Sequence, residues 1–135
     1  MCLRGAAKVA ARGVRLCRLR AWDDRCGYGF YMEQVRDGRP GHFVGRVDLG
    51  SPADAAGLRV GDRVVEVDGA NVDDLSHQDV VDRVASSGDQ HVTLLVVDPA
   101  ADRFFSEQNV VVTASMDGVK TTTCPDTKPA AFIGQ

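Results

Sequence analysis

The residues best suited by type and spacing to bind a ligand are Cys26-Gly27-Tyr28-Gly29-Phe30. Glycines at alternate positions can take positive φ, so successive backbone N–H groups can converge on one anion. A peptide carboxylate and a phosphate are both candidates. A dinucleotide-binding turn needs a third glycine where Met32 stands and a helix after it, whereas residues 30–34 read as a strand. Catalysis finds no comparable stretch. His42, His77 and His91 are scattered, and there is neither a Gly-x-Ser-x-Gly elbow nor a His-Glu-x-x-His pair. The four cysteines, at 2, 17, 26 and 124, lack the Cys-x-x-Cys spacing of zinc or redox sites, so reduced thiols, no metal and no cofactor are expected.

The elements that must hold this loop can be read on either side of it. From Gly13, the residues Val14, Leu16, Cys17 and Leu19 interleave with Arg15, Arg18 and Arg20, which predicts a strand with one buried face. After the loop, Phe30, Met32 and Gln34 share one side of a second strand, with Tyr31 and Glu33 on the other. Residues 37–41 predict a turn or loop, and residues 42–47 a third strand. Ser51, Pro52, Asp54 and Gly57 supply the cap, first-turn proline, capping box and left-handed stop of one or two helical turns. Residues 63–67 form a β-branched strand that Asp68-Gly69 turns back on itself. A longer helix runs from a Ser76 cap to Gly88, with His77, Val81 and Val84 on one face. The most apolar strand, residues 91–97, ends at Asp98-Pro99.

Three segments are expected: a basic flexible leader over residues 1–12, a domain over 13–99, and an extension over 100–135, partly docked and then disordered. In the extension, Phe104-Phe105 can dock back and residues 110–112 can add a strand, whereas Thr121-Thr122-Thr123 and residues 125–129 read as a disordered end. At 135 residues and 44% hydrophobic, the chain can bury a core without staples. No apolar run approaches the roughly 20 residues that cross a bilayer. The first 20 residues hold six of the 16 Lys and Arg and no acid, leaving ten basic against 19 acidic residues in the remainder. Such a leader offers weak contact with anionic lipid but lacks the aromatics that stack on nucleic acid, so no nucleic-acid partner is expected.

Taken in order, Gly-Tyr-Gly-Phe, two strands, Ser-Pro-Ala-x-x-Ala-Gly-Leu, Gly-Asp-Arg-Val-x-x-Val-x-Gly, a helix opening on His and a last strand resemble a PDZ domain over residues 13–98. Arg15-Leu16-Cys17, Gly27-Tyr28-Gly29-Phe30, Gly50-Ser51-Pro52-Ala53, His77-Gln78 and Leu94-Leu95-Val96-Val97-Asp98-Pro99 are most similar to the sodium/hydrogen exchanger regulatory factor (NHERF) group. The resemblance implies a mainly β fold, a partly open barrel of five to six strands capped by one short and one longer helix. It implies a non-enzymatic scaffold or adaptor module that adds the C-terminal tail of a partner as a strand between the second strand and second helix. The tail would be of class I, Ser/Thr-x-apolar-COOH.

Carried across, Gly27, Tyr28, Gly29 and Phe30 form the carboxylate loop, and Tyr28, Phe30, Met32, Val81 and Val84 line the terminal pocket. His77 meets the ligand Ser or Thr, Arg46 meets a ligand acid, and Arg20 or Arg25 supports the carboxylate from a loop that also holds Asp23-Asp24. Ala85 stands where the group tends to have Arg. Implied partners are tails of membrane transporters or receptors, with a cytoplasmic monomer at the inner face of the plasma membrane. The rival readings are a PDZ module regulating a serine protease, which its strand order disfavours, and membrane-surface binding through the leader.

Overall fold

The structure is a computed structural model that describes residues 13–21, 28–36, 38–85 and 91–125. The elements are β1 (Val14–Arg20), β2 (Phe30–Arg36), β3 (Arg39–Val47), α1 (Pro52–Ala55), β4 (Arg63–Val67), β5 (Ala70–Asn71), α2 (His77–Ala85), β6 (His91–Val97), α3 (Pro99–Glu107) and β7 (Lys120–Thr123). They make one open sheet in the order β2-β3-β4-β6-β1-β7, with β5 on β4, so β2 and β7 are its edges. All pairs are antiparallel except β1 with β7. The expected mainly β, partly open architecture is present, with a seventh strand and a third helix added from residues 99–125.

Local chemistry accounts for the turns and caps. Asp68 and Gly69 both sit at positive φ, 51° and 85°, the backbone that a two-residue hairpin with right-handed strand twist requires. Arg36 pairs directly with Arg39, so β3 starts three residues earlier than expected: the reversal after β2 takes two residues, with Gly38 at φ 76°. At α1, Ser51 Oγ accepts from Asp54 N–H at 3.2 Å while Asp54 Oδ2 accepts from Gly50 N–H at 2.9 Å. Ser76 Oγ likewise accepts from Asp79 N–H at 3.1 Å and starts α2.

The sheet carries a core on each face. Cluster 1 gathers Cys17, Leu19, Val44, Val64, Val67, Val80, Val92, Leu94 and Val96, with Ala53 of α1 and Val80 of α2 packed into it. Cluster 2 gathers Val14, Val65, Leu95 and Val97 under Ala101 and Phe105 of α3, with Val112 beyond it. The first strand therefore buries both faces, Cys17 and Leu19 into one cluster and Val14 and Leu16 into the other, which departs from the single buried face expected. The unbroken apolar run of β6 has the same cause, because a strand covered on both sides has no need to alternate.

Residues 99–125 provide the second cover. Asp98 caps α3 by accepting from Ala101 N–H at 2.8 Å, and Pro99 takes its first turn, so the pair that ends β6 also begins a helix. Asp102 is tied to the sheet by Arg39 of β3 and Arg63 of β4, each at 3.1 Å. Thr121–Thr123, expected within a disordered end, form most of β7: Leu16, Cys17 and Arg18 pair with them, and Thr122 Oγ1 donates to Ala56 O at 2.5 Å. Cys17 and Cys124 are buried, reduced thiols. Among the described residues no helix is long and apolar enough to cross a membrane.

Candidate functional site

The loop before β2 is shaped by what its carbonyls do. Tyr28 C=O accepts from Ala53 N–H at 3.0 Å, and Gly29 C=O accepts from Asp48 N–H at 2.8 Å. Both peptide units are trans, so the N–H groups of Gly29 and Phe30 point the opposite way, out of the 48–53 segment. Gly29 has φ 83°, and a Cβ there would lie 2.2 Å from Ser51 Cβ. No other residue fits on either count. Gly27 lies outside the described residues.

Phe30 opens the sheet edge. The Asp48–Gly29 bond brackets the Phe30–Val47 pair, which makes it a non-hydrogen-bonded pair of the antiparallel ladder. Phe30 N–H and C=O therefore face away from β3, toward the side of β2 that no strand among the described residues covers. Across that side stands α2, which contacts β2. Of its valines, Val80 is fully buried in cluster 1, Val84 is half-buried against it and Val81 is 37% exposed. Tyr28, Phe30 and Met32 are half-buried against the same cluster. Of the predicted pocket residues, Tyr28, Phe30, Met32 and Val84 thus pack partly buried on one cluster, while Val81 is exposed on α2. Burial, with the charge of Asp68 second, raises the Tyr28 phenol above its ordinary value.

His77 is the first residue of α2 and half-buried, and its Nδ1 is buried with no hydrogen-bond partner among the described residues. His42 differs: its Nε2 lies 3.0 Å from Leu75 O, a structural tie beneath the start of α2. Arg46 is engaged within β2 and β3. Its Nε donates to Asp48 Oδ1 at 3.1 Å, its guanidinium lies 5.2 Å from the Tyr31 ring centroid, and Tyr31 O–H donates to Asp48 Oδ2 at 3.3 Å. Arg20 is exposed at the end of β1 on the face opposite Leu19, away from cluster 1. Arg25 lies outside the described residues. Ala85 is exposed at the end of α2.

Residues 43–98, which run from within β3 through α2 to the end of β6, fit the family model described as PDZ domain. The chain carries a PDZ domain. It is 50% identical over 82 residues to the Na(+)/H(+) exchange regulatory cofactor NHE-RF4 of Mus musculus, covering 59% of this chain and 16% of the relative. It is 46% identical over 97 residues to NHE-RF1 of Gallus gallus, covering 72% and 28% respectively. Similarity to NHE-RF2 of Mus musculus is 46% over 99 residues, 73% of this chain and 28% of the relative. The aligned region thus spans less than a third of each of these relatives. Among solved structures, INAD PDZ3 in complex with TRP channel tail superposes with a TM-score of 0.54 at 19% identity, covering 64% of this chain and 87% of that one, a likeness of fold.

Sequence reading of this PDZ domain missed α3 and the paired β7. The signal for α3 was present, since Asp98 followed by Pro99 and then Ala100-Ala101 is a cap, a first-turn proline and good helix formers. For β7 no local signal existed. Three threonines suit a strand, but only the uncovered edge of β1 makes them one.

Proposed function

We propose that the groove between β2 and α2 binds the C-terminal peptide of a partner protein, added as a strand to β2. One observation carries this reading: the outward N–H groups of Gly29 and Phe30 lie on the uncovered edge of the sheet, facing a helix that presents His77, Val81 and Val84. Backbone N–H groups turned to one side stabilise a terminal carboxylate, and an open edge pairs with an extended segment. Tyr28, Phe30, Met32, Val81 and Val84 take an apolar last side chain. His77, which has an imidazole nitrogen in need of a partner, takes the hydroxyl of a Ser or Thr two residues before the end, a class I preference. Gly27 completes the carboxylate loop.

Cationic support for the carboxylate is assigned to Arg25 or Arg20, and the outward face of Arg20 favours Arg25. Arg46, stacked on Tyr31 and paired with Asp48, offers a ligand acid a charge already shared, so any contribution there is small. In this reading the domain is a non-enzymatic adaptor module, monomeric, whose partners are the cytoplasmic tails of membrane transporters or receptors, as suits likeness to exchange regulatory cofactors and to a PDZ solved with a channel tail. The domain spans residues 13–99, and residues 100–125 of the extension pack onto it.

The deciding experiment is calorimetric titration with peptides ending in Ser/Thr-x-Leu, as free acids and as C-terminal amides. The free acids bind and the amides do not; equal affinity for both would sink the carboxylate loop. His77→Ala lowers affinity for the Ser/Thr peptides about tenfold, the worth of one hydrogen bond of ~1.4 kcal/mol. Peptides carrying Ala in place of Ser or Thr lose nothing further on that substitution.

A further inference from the structure

On the cluster 2 side of the sheet, Arg39, Arg63, Asp73, Asp102 and Ser106 form a polar group with no part in the peptide groove. Arg63, Asp73, Asp102 and Ser106 line a cavity of about 310 Å³ there, walled by Phe105 and Val110. Arg39 uses two different nitrogens: Nη1 lies 3.1 Å from Asp102 Oδ2, and Nη2 donates to Ser106 Oγ at 3.0 Å. Arg63 Nη1 donates to the other Asp102 oxygen at 3.1 Å, and its Nη2 to Asp73 Oδ1 at 3.3 Å. Asp102 is thereby satisfied on both oxygens. Ser106, exposed on the last turn of α3, is a neutral hydroxyl held against a cation. Arg103, three residues earlier and so on the same side of the helix, is exposed and has no ion pair among the described residues.

We propose that Ser106 is a phosphorylation site, and that its phosphoryl group is received by Arg39 and Arg103 and fastens α3 to β3. In the modifying step Ser106 Oγ attacks the γ-phosphorus of ATP held by a serine/threonine kinase. The new O–P bond forms as the bond to ADP breaks, and the hydroxyl proton passes to the kinase's base. The product carries a charge of roughly −1.5 to −2 and three acceptor oxygens. Because Nη2 of Arg39 faces Ser106 while Nη1 holds Asp102, the phosphate gains a charge-assisted bond without taking the guanidinium from the buried carboxylate. Arg103 supplies a second cation with no ion pair among the described residues to give up. Against this stand the negative end of the α3 dipole, the exposed Glu107, and the carboxylates of Asp102 and Asp73. Those two are already neutralised by Arg39 and Arg63, and the dipole at an exposed helix end is weaker than two guanidinium–phosphate contacts.

The full chain with phosphoserine encoded at position 106 is compared with the unmodified chain and with the phosphorylated chain carrying Arg103→Ala. Phosphorylation raises the thermal midpoint by about 2–5 °C, slows amide exchange in α3, and moves the second phosphate pKa, read by phosphorus NMR, at least about half a unit below its ordinary ~6. Arg103→Ala returns part of each effect. An unchanged or lowered midpoint, together with a phosphate titration equal to that of the same chain in urea, overturns the clamp. Accessibility is tested with ATP and a kinase selecting Arg three residues before its acceptor. Label on Ser106 of the folded chain, found by mass spectrometry, supports the site. Its absence under conditions that label a peptide of residues 99–110 overturns it.

Discussion

At the scale of single residues, Gly29 is the position with least freedom. Its φ of 83° and the 2.2 Å approach of Ser51 to a would-be Cβ mean that Gly29→Ala must strain the backbone and push the loop off the cap of α1. We expect a loss of more than about 1 kcal/mol in urea unfolding and loss of peptide binding, because the two carbonyl bonds that orient the loop amides would break. A variant with unchanged stability would contradict the contact. Cys17 gives a second test. Burial raises its thiol above the ordinary value, the larger effect against the opposing influence of Thr122 and Arg15, so little thiolate forms near neutral pH. Iodoacetamide at pH 8 should leave Cys17 unmodified in the folded chain and alkylate it fully in guanidinium, read peptide by peptide. The placement of His77, Val81 and Val84 on one face of a helix was legible in the sequence, because helical spacing alone sets it, with Val80 on the adjacent face. The engagement of Arg46 was legible only in part: Asp48 stands two residues along the chain, whereas Tyr31 meets it only once β2 and β3 pair.

Elements come next, and α3 is the one whose contribution can be measured directly. Phe105 is 2% exposed in cluster 2, whereas its neighbour Phe104 is 48% exposed. Phe105→Ala should therefore cost about 3–5 kcal/mol, and Phe104→Ala less than about 1 kcal/mol. Chemical denaturation of both variants checks the contrast; similar losses would mean that α3 sits differently on the sheet. The caps of α1 and α2 were readable because Ser51, Asp54 and Ser76 act within four residues of themselves. The start of α3 was equally local, but a residue pair that stops a strand hides its second role as a helix cap.

For the molecule as a whole, the second core changes what the domain needs in order to be stable. Ending the chain at residue 98 would uncover Val14, Val65, Leu95 and Val97, each now 6% exposed or less. At about 25 cal/mol per Å² of apolar surface this is several kcal/mol against the few that a small domain has to spare. The shortened chain should melt at a markedly lower temperature and bind a hydrophobic dye in its native state; equal melting would show cluster 2 to be dispensable. The sequence by itself determined the order of strands and helices from β1 to β6, the caps of α1 and α2, the Asp68-Gly69 turn and the family, because each rests on neighbours in the chain or on backbone preferences that a residue carries with it. Only the tertiary structure decided that β1, β4 and β6 are covered on both faces, that Thr121–Thr123 pair with β1, and that Arg39 and Arg63 converge on Asp102. Those contacts join residues 39 to 105 positions apart, and whether an apolar run or a threonine tract is covered depends on what returns to meet it.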